Sequence, residues 1–256
     1  MDLGLKGKRA IITGATRGIG RAIADALAAE GVDLGICARS ASAVRDAVAS
    51  YGNHGVRVCG SAVDIADGDS LKGWVRTVCE AYGGLDILVI NASAMSDGNS
   101  EEAWQAAFQI DVLGAVRAVT EAMPFLEATA AETGDACVVI VSSAGAGEAK
   151  YANAYTAMKA APIQFVKGLA YEKAAKHVRV NTVSPGPVYF EGGIWNQIEQ
   201  ANPEMYKTYL GAIPTGRMAT PEDVAKAVVF LSSTASSFTT GANMLIDGAY
   251  SSRVTL

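Results

Sequence analysis

The stretch AKYANAYTAMKAA places tyrosines at 151 and 155 and a lysine at 159, each four residues beyond the last. At about 3.6 residues per turn, that spacing stacks all three on one face of a helix. A phenol can donate or accept a proton, and a neighbouring ammonium stabilises its ionised form, so the chemistry on offer is general acid–base catalysis. The motif is short, and nine tyrosines in 256 residues make a chance match easy. It acquires meaning only from the elements that position it, and at this level the acting tyrosine stays open between Tyr151 and Tyr155.

Those elements are legible as an alternation. Short runs rich in Val and Ile (RAIITG, VDLGICA, VRVCGSAVD, LDILVINA, ACVVIVSS, VRVNTVSPG and ANMLIDG) are separated by longer alanine-rich segments of helical period. Strands apolar on both faces belong to parallel sheets covered by helices on both sides, so the expected fold is α/β: a doubly wound, Rossmann-like parallel sheet of seven strands. No Pro- or Ser-rich linker interrupts the pattern, and residues 1–256 are expected to form one dinucleotide-binding domain. Ligands of such sheets bind beyond the carboxyl ends of the strands, which directs attention to the segments that follow each run.

The first run ends in TGATRGIGRAIADALAAEG, with glycines at 14, 18 and 20 leading into an amphipathic helix. Glycine permits the sharp turn and the close approach of backbone to a pyrophosphate. The new helix turns its unpaired N–H groups and positive dipole end toward that anion. Gly14, Thr16, Arg17, Gly18, Ile19 and Gly20 are therefore candidate cofactor contacts. Sites that prefer NAD place an acid at the end of the second strand, but here that strand ends ICARS. Ala38 carries no carboxylate to repel a 2′-phosphate, while Arg39 and Arg17 offer guanidinium forks suited to one. The reading is NADP (NADPH), with Ser40 beside Arg39 in the same corner.

Composition narrows the classes further. A net charge of -5 leaves no basic footprint for nucleic acid or an anionic membrane surface. The opening MDLGLKGKRAIITG lacks a leader's apolar stretch, and a soluble cytoplasmic protein is expected. Four scattered cysteines and two histidines support neither a disulfide framework nor a metal site; the thiols read as small core residues.

With these segments in view, the sequence resembles the short-chain dehydrogenase/reductase family over nearly its whole length. TGATRGIG is similar to that family's cofactor loop, VDIAD (Asp64, Ile65) to its adenine contact, and NASA (Asn91, Ala92, Ser93) to its Asn-Asn-Ala-Gly element. SSAGAGEAKYANAYTAMK is similar to its serine, tyrosine and lysine segment, and SPGPV (Pro185, Gly186, Val188) to the loop along its nicotinamide. The resemblance implies that Tyr155, paired with Lys159 as Tyr-x-x-x-Lys, is the acid, and that Tyr151 lines the pocket or packs against its neighbour. It also implies that a serine polarises the carbonyl: Ser143 as the second of its doublet, with Ser142 the runner-up because the family's usual spacing to tyrosine points there. The implied activity is interconversion of a small-molecule ketone and alcohol by a homo-oligomer, a tetramer or dimer. A non-catalytic dinucleotide-binding regulator and a 3-oxoacyl thioester reductase are the competing readings.

Three positions depart from the family pattern. Ser93 replaces a glycine, Pro162 falls inside the helix after Lys159 and predicts a kink near Met158, and Asp111 stands where the family has its fourth catalytic residue, an asparagine. Beside Lys159, an ionised Asp111 is expected to draw part of the ammonium's field from Tyr155. The segment of about 187–214 occupies the family's lid position and is rich in Tyr189, Phe190, Trp195, Tyr206 and Tyr209, which points to a bulky, mostly hydrophobic ligand. Glu191, Glu199 and Glu204 face only Lys207 there, with Asp97, Glu101 and Glu102 nearby, so an acidic mouth is expected to repel carrier proteins and coenzyme A thioesters.

Overall fold

The seven apolar runs all become strands: β1 (Arg9–Thr13), β2 (Asp33–Ala38), β3 (Val58–Ala62), β4 (Ile87–Ile90), β5 (Ala136–Val141), β6 (Val178–Pro185) and β7 (Asn243–Ile246). The structure is a computed structural model that describes residues 2–52, 54–96, 98–149 and 152–253. Every strand pairing is parallel and the order is β3-β2-β1-β4-β5-β6-β7, with Ala10 of β1 opposite both Leu34 of β2 and Ile87 of β4. The order reverses between β1 and β4, the place where sheets of this kind take a ligand beyond the strands' carboxyl ends.

Alternation along each strand feeds two cores. Ile12, Leu34, Ile36, Val89, Val139 and Val183 point to one face, beneath α1 (Gly18–Ala29) and α9 (Pro221–Ser232). Ile11, Leu88, Ile90, Val138, Ile140 and Val180 point to the other, beneath α3 (Gly68–Tyr82), α5 (Gly114–Thr133) and α6 (Ala154–Lys173). Burial of each such side chain contributes about 1.5–3 kcal/mol. Cys37, Cys79 and Cys137 belong to these cores, and burial pushes the first two thiols up to about 12 and the third to about 11.

Helix starts follow local chemistry. Ser40 caps α2 (Ala41–Ser50), Asp67 caps α3, Ser100 caps α4 (Glu101–Ala107), Asn153 caps α6 and Asn202 caps α8 (Pro203–Gly211). Thr220 and Asp223 form a reciprocal box at α9. Two helix starts differ: α7 (Ile194–Ala201) follows Gly193, and α1 follows Arg17, which gives no side-chain cap and is followed by no acid in the first turn. Between α4 and α5 the chain widens into a π turn, Phe108–Leu113, which holds Asp111. Pro162 does not end α6, which runs as helix from Ala154 to Lys173 with the proline ring buried. No helix among the described residues is long and apolar enough to cross a membrane.

Candidate active site

The glycine loop is held by residues on both sides of that reversal. The Thr13 hydroxyl, at the end of β1, accepts from the backbone N–H of Asn91 (3.0 Å) and of Ala92 (3.1 Å). The Asn91 amide donates back to the carbonyls of Thr13 and Gly14, both at 3.1 Å. Gly14 adopts φ 68°, and a Cβ on Gly20 would collide with the Gly14 carbonyl and the Asn91 amide. The loop is thus pulled down until backbone meets backbone, leaving the N–H groups of the uncapped first turn of α1 facing outward. Thr13 escaped the sequence reading; a threonine ending an aliphatic strand directly before a glycine loop was the available signal.

Around this cradle, Arg17 and Arg39 are exposed and form no ion pair or side-chain hydrogen bond among the described residues. Ser40 is occupied as the cap of α2, accepting from Ala43 N–H at 3.2 Å. Asp64 is exposed and accepts from Ala66 N–H at 3.0 Å, whereas Ile65 is buried against Gly114, where a Cβ would strike it. The Ser93 hydroxyl accepts from Met95 N–H at 3.2 Å and so braces the turn that follows β4. Thr16, Ile19 and Gly186 are half-buried, while Pro185 and Val188 are buried where β6 ends. Phe190 lays its ring against Gly18 and Gly193, linking the segment after β6 to the head of α1.

The proton-handling residues gather at the ends of β5 and the start of α6. Ser142 is buried and donates to the Lys159 carbonyl at 2.6 Å, which commits its hydroxyl to helix backbone. Ser143 points the other way, as strand alternation requires. It is half-buried and accepts from Gly145 N–H at 3.1 Å, so its own proton remains available to a ligand. Tyr155 is half-buried, with the Lys159 ammonium 6.0 Å from its ring centre. Tyr151 and Asp97 lie outside the described residues.

Lys159 is held from two sides. Its ammonium donates to the Val141 carbonyl at 3.1 Å and lies 3.0 Å from Oδ1 of Asp111, the two side chains 6% and 1% exposed. The Asp111 contact is an ion pair without a well-directed hydrogen bond, for Oδ1 has no such partner among the described residues. Oδ2 accepts from Ala94 N–H at 3.1 Å. The Asp111 carboxyl thus lies between the Lys159 ammonium and the backbone that follows β4. The π turn rotates Asp111 toward α6, as such insertions do at functional sites.

The aromatic segment forms the α7–α8 helix pair. Its rings pack largely on one another: Tyr189 meets Tyr206 edge to face at 6.0 Å, and Trp195 meets Tyr209 at 4.7 Å. Glu199 accepts from the Tyr189 hydroxyl at 2.5 Å, which raises that phenol's pKa, and Glu204 pairs with Lys207 at 3.0 Å. The carboxylates of this rim are thus partly engaged, while Glu191, Glu101 and Glu102 stay exposed.

Comparison with known proteins adds to this geometry. Residues 14–251 match a family described as enoyl-(acyl carrier protein) reductase. Isoepoxydon dehydrogenase patN of Penicillium expansum is 37% identical over 255 residues, covering 97% of this chain and 96% of that protein. A 3-oxoacyl-[acyl-carrier-protein] reductase of Vibrio cholerae is 32% identical over 253 residues, covering 96% and 98%. The crystal structure of L-sorbose reductase from Gluconobacter frateurii, complexed with NADPH and L-sorbose, has a TM-score of 0.90 at 32% identity, covering 99% of this chain and 100% of that one.

Proposed function

The chain belongs to the short-chain dehydrogenase/reductase family and is an oxidoreductase, and on that premise we propose that it interconverts a secondary alcohol and a ketone with NADP, on a bulky, mostly hydrophobic substrate. The observation that carries the proposal is the placement of an available Ser143 hydroxyl at the end of β5, next to a Ser142 bonded to α6, with Tyr155 and the buried Lys159 ammonium on that helix and the head of α1 left without a side-chain cap.

The chain's own residues fit the cofactor. Gly14, Thr16, Gly18, Ile19 and Gly20 present backbone to the diphosphate, and Arg17, Arg39 and Ser40 receive the 2′-phosphate. Asp64 and Ile65 take the adenine; Asn91, Ala92 and Ser93 the ribose side; Pro185, Gly186 and Val188 the nicotinamide side. When bound, NADPH supplies hydride to the carbonyl carbon. Ser143 donates a hydrogen bond to the carbonyl oxygen and polarises it, while Tyr155 gives that oxygen its proton. Lys159, fixed by Val141 and Asp111, keeps positive charge beside the phenol and holds the nicotinamide ribose hydroxyls. In the oxidation direction the Tyr155 phenolate acts as the base.

The domain reading, one unit with a lid over about 187–214, belongs to the same proposal, as does a cytoplasmic place. Homo-oligomerisation is proposed through the exposed rings of Trp104 on α4, Phe108 on the π turn and Tyr171 on α6, which are 38%, 43% and 92% exposed. Substrate class is tested by comparing kcat/KM, with NADPH, for neutral cyclic or aromatic ketones against acetoacetyl thioesters. Higher efficiency for the neutral ketones is expected; the reverse ranking establishes the thioester reading, which the Vibrio cholerae relative keeps in play.

A further inference from the structure

The segment after β7 closes on itself before it reaches the site. Asp247 accepts from Ala249 N–H (3.0 Å) through Oδ1 and from Ser251 N–H (2.9 Å) through Oδ2, and its carbonyl accepts from Tyr250 N–H at 3.0 Å. Inside this turn Gly248 and Ala249 both take positive φ, 60° and 65°. Alanine in that region is strained, and the conformation persists because the Asp247 carboxylate satisfies the turn on both sides. Gly248 must also stay small, since a Cβ there would lie 2.5 Å from Thr215 Oγ1.

Two consecutive residues leave this rigid turn in different directions. Tyr250 stacks on Tyr209 of α8 at 6.5 Å and 26° between planes, and Tyr209 in turn meets Trp195 of α7. Ser251 donates to Glu148 at 2.6 Å, five positions beyond Ser143 on the loop that leads to α6. One short turn thus grips the helix pair with one side chain and the serine loop with the next. Tyr250 is thereby held against the helix pair while its neighbour is tied to the loop that carries Ser143.

We propose that Tyr250, set by the Asp247 turn and by the Ser251–Glu148 bond, is a specificity-determining residue that limits the size of the ketone accepted between the α7–α8 pair and the Ser143 loop. The inference rests on the carbonyl-reducing activity proposed above. An aromatic wall braced on Tyr209 and Trp195 gives flat rings a contact surface and blocks longer or branched substituents.

The test compares cyclohexanone with 2-tetralone as substrates for the wild type, Tyr250→Ala and Glu148→Gln, with NADPH affinity measured by fluorescence titration and folding by thermal melt. Tyr250→Ala should shift the kcat/KM ratio toward 2-tetralone about tenfold or more, through KM, with NADPH affinity unchanged. Glu148→Gln keeps an oxygen that can accept from the Ser251 hydroxyl, so the turn should hold and the ratio should stay near the wild-type value. A wild type active on these ketones whose ratio does not move in Tyr250→Ala overturns this inference alone. A wild type that binds NADPH and reduces neither ketone overturns the inference together with the activity it rests on.

Discussion

Replacing Asp111 by asparagine removes one negative charge from the site while sparing its scaffolding. The amide oxygen can still accept from Ala94 N–H, so the π turn should persist. The ammonium, now 3.0 Å from a neutral group, then directs its whole field at Tyr155. The ring centre lies 6.0 Å from Nζ and the carboxylate 3.0 Å beyond, so the lost charge sits at most about 9 Å from the ring. With an effective dielectric of about 20–40, a unit charge at that distance is worth about 1–2 kcal/mol against the phenolate, or roughly one pH unit. The sign follows directly. A carboxylate opposes formation of the basic phenolate, so its removal should move the rising limb of the oxidation pH–rate profile to lower pH by roughly one unit. The assay is kcat/KM for alcohol oxidation with NADP from about pH 6 to 10, with circular dichroism as the control for folding. A limb that stays in place in a folded variant would refute the coupling, and Asp111 would then be a packing choice at the bend.

Other substitutions probe the rest of the site. Arg39→Ala should weaken NADPH binding about 10- to 100-fold, the worth of a charge-assisted hydrogen bond, and leave NADH nearly unchanged in a titration of each; equal losses would remove the 2′-phosphate argument. Ser143→Ala should lower kcat by about 10²–10³ with little change in melting temperature. Ser142→Ala should instead destabilise the fold by about 1 kcal/mol and leave kcat within severalfold; exchanged outcomes would reverse the serine assignment. Gly20→Ala forces a Cβ into the Gly14 carbonyl and the Asn91 amide, and should depress both stability and NADPH affinity, read by thermal melt and titration.

Much of this architecture was legible because the chemistry was local. Val- and Ile-rich runs such as ACVVIVSS could only be strands buried on both faces, and β5 proved buried at every position. The glycine loop was equally plain, since its turn and helix start lie within a few residues. What stayed hidden depended on alternation or on distant partners. Spacing back from Tyr155 pointed to Ser142 and the doublet pattern to Ser143; that the Ser142 hydroxyl is bonded to the Lys159 carbonyl is a tertiary contact neither reading reveals. The family resemblance set Asp111 beside Lys159, 48 positions away, but the widened turn that carries it there is signalled by no periodicity. The lid aromatics were visible as a cluster, but their mutual packing, and the reach of Tyr250 onto Tyr209, are tertiary facts. Tyr151, which the sequence set beside Tyr155, lies outside the described residues and is separated from it only by experiment.

That experiment is also the most direct test of the central claim, that Tyr155 is the acid of an NADPH-dependent carbonyl reduction. Single-turnover reduction of a ketone that the wild type accepts should be followed by NADPH absorbance in Tyr155→Phe and Tyr151→Phe, with NADPH affinity measured in each. The account predicts that Tyr155→Phe loses at least about 10²–10⁴-fold in rate with NADPH affinity within severalfold of wild type, while Tyr151→Phe retains substantial activity. A Tyr155→Phe enzyme that turns over at near the wild-type rate would contradict it.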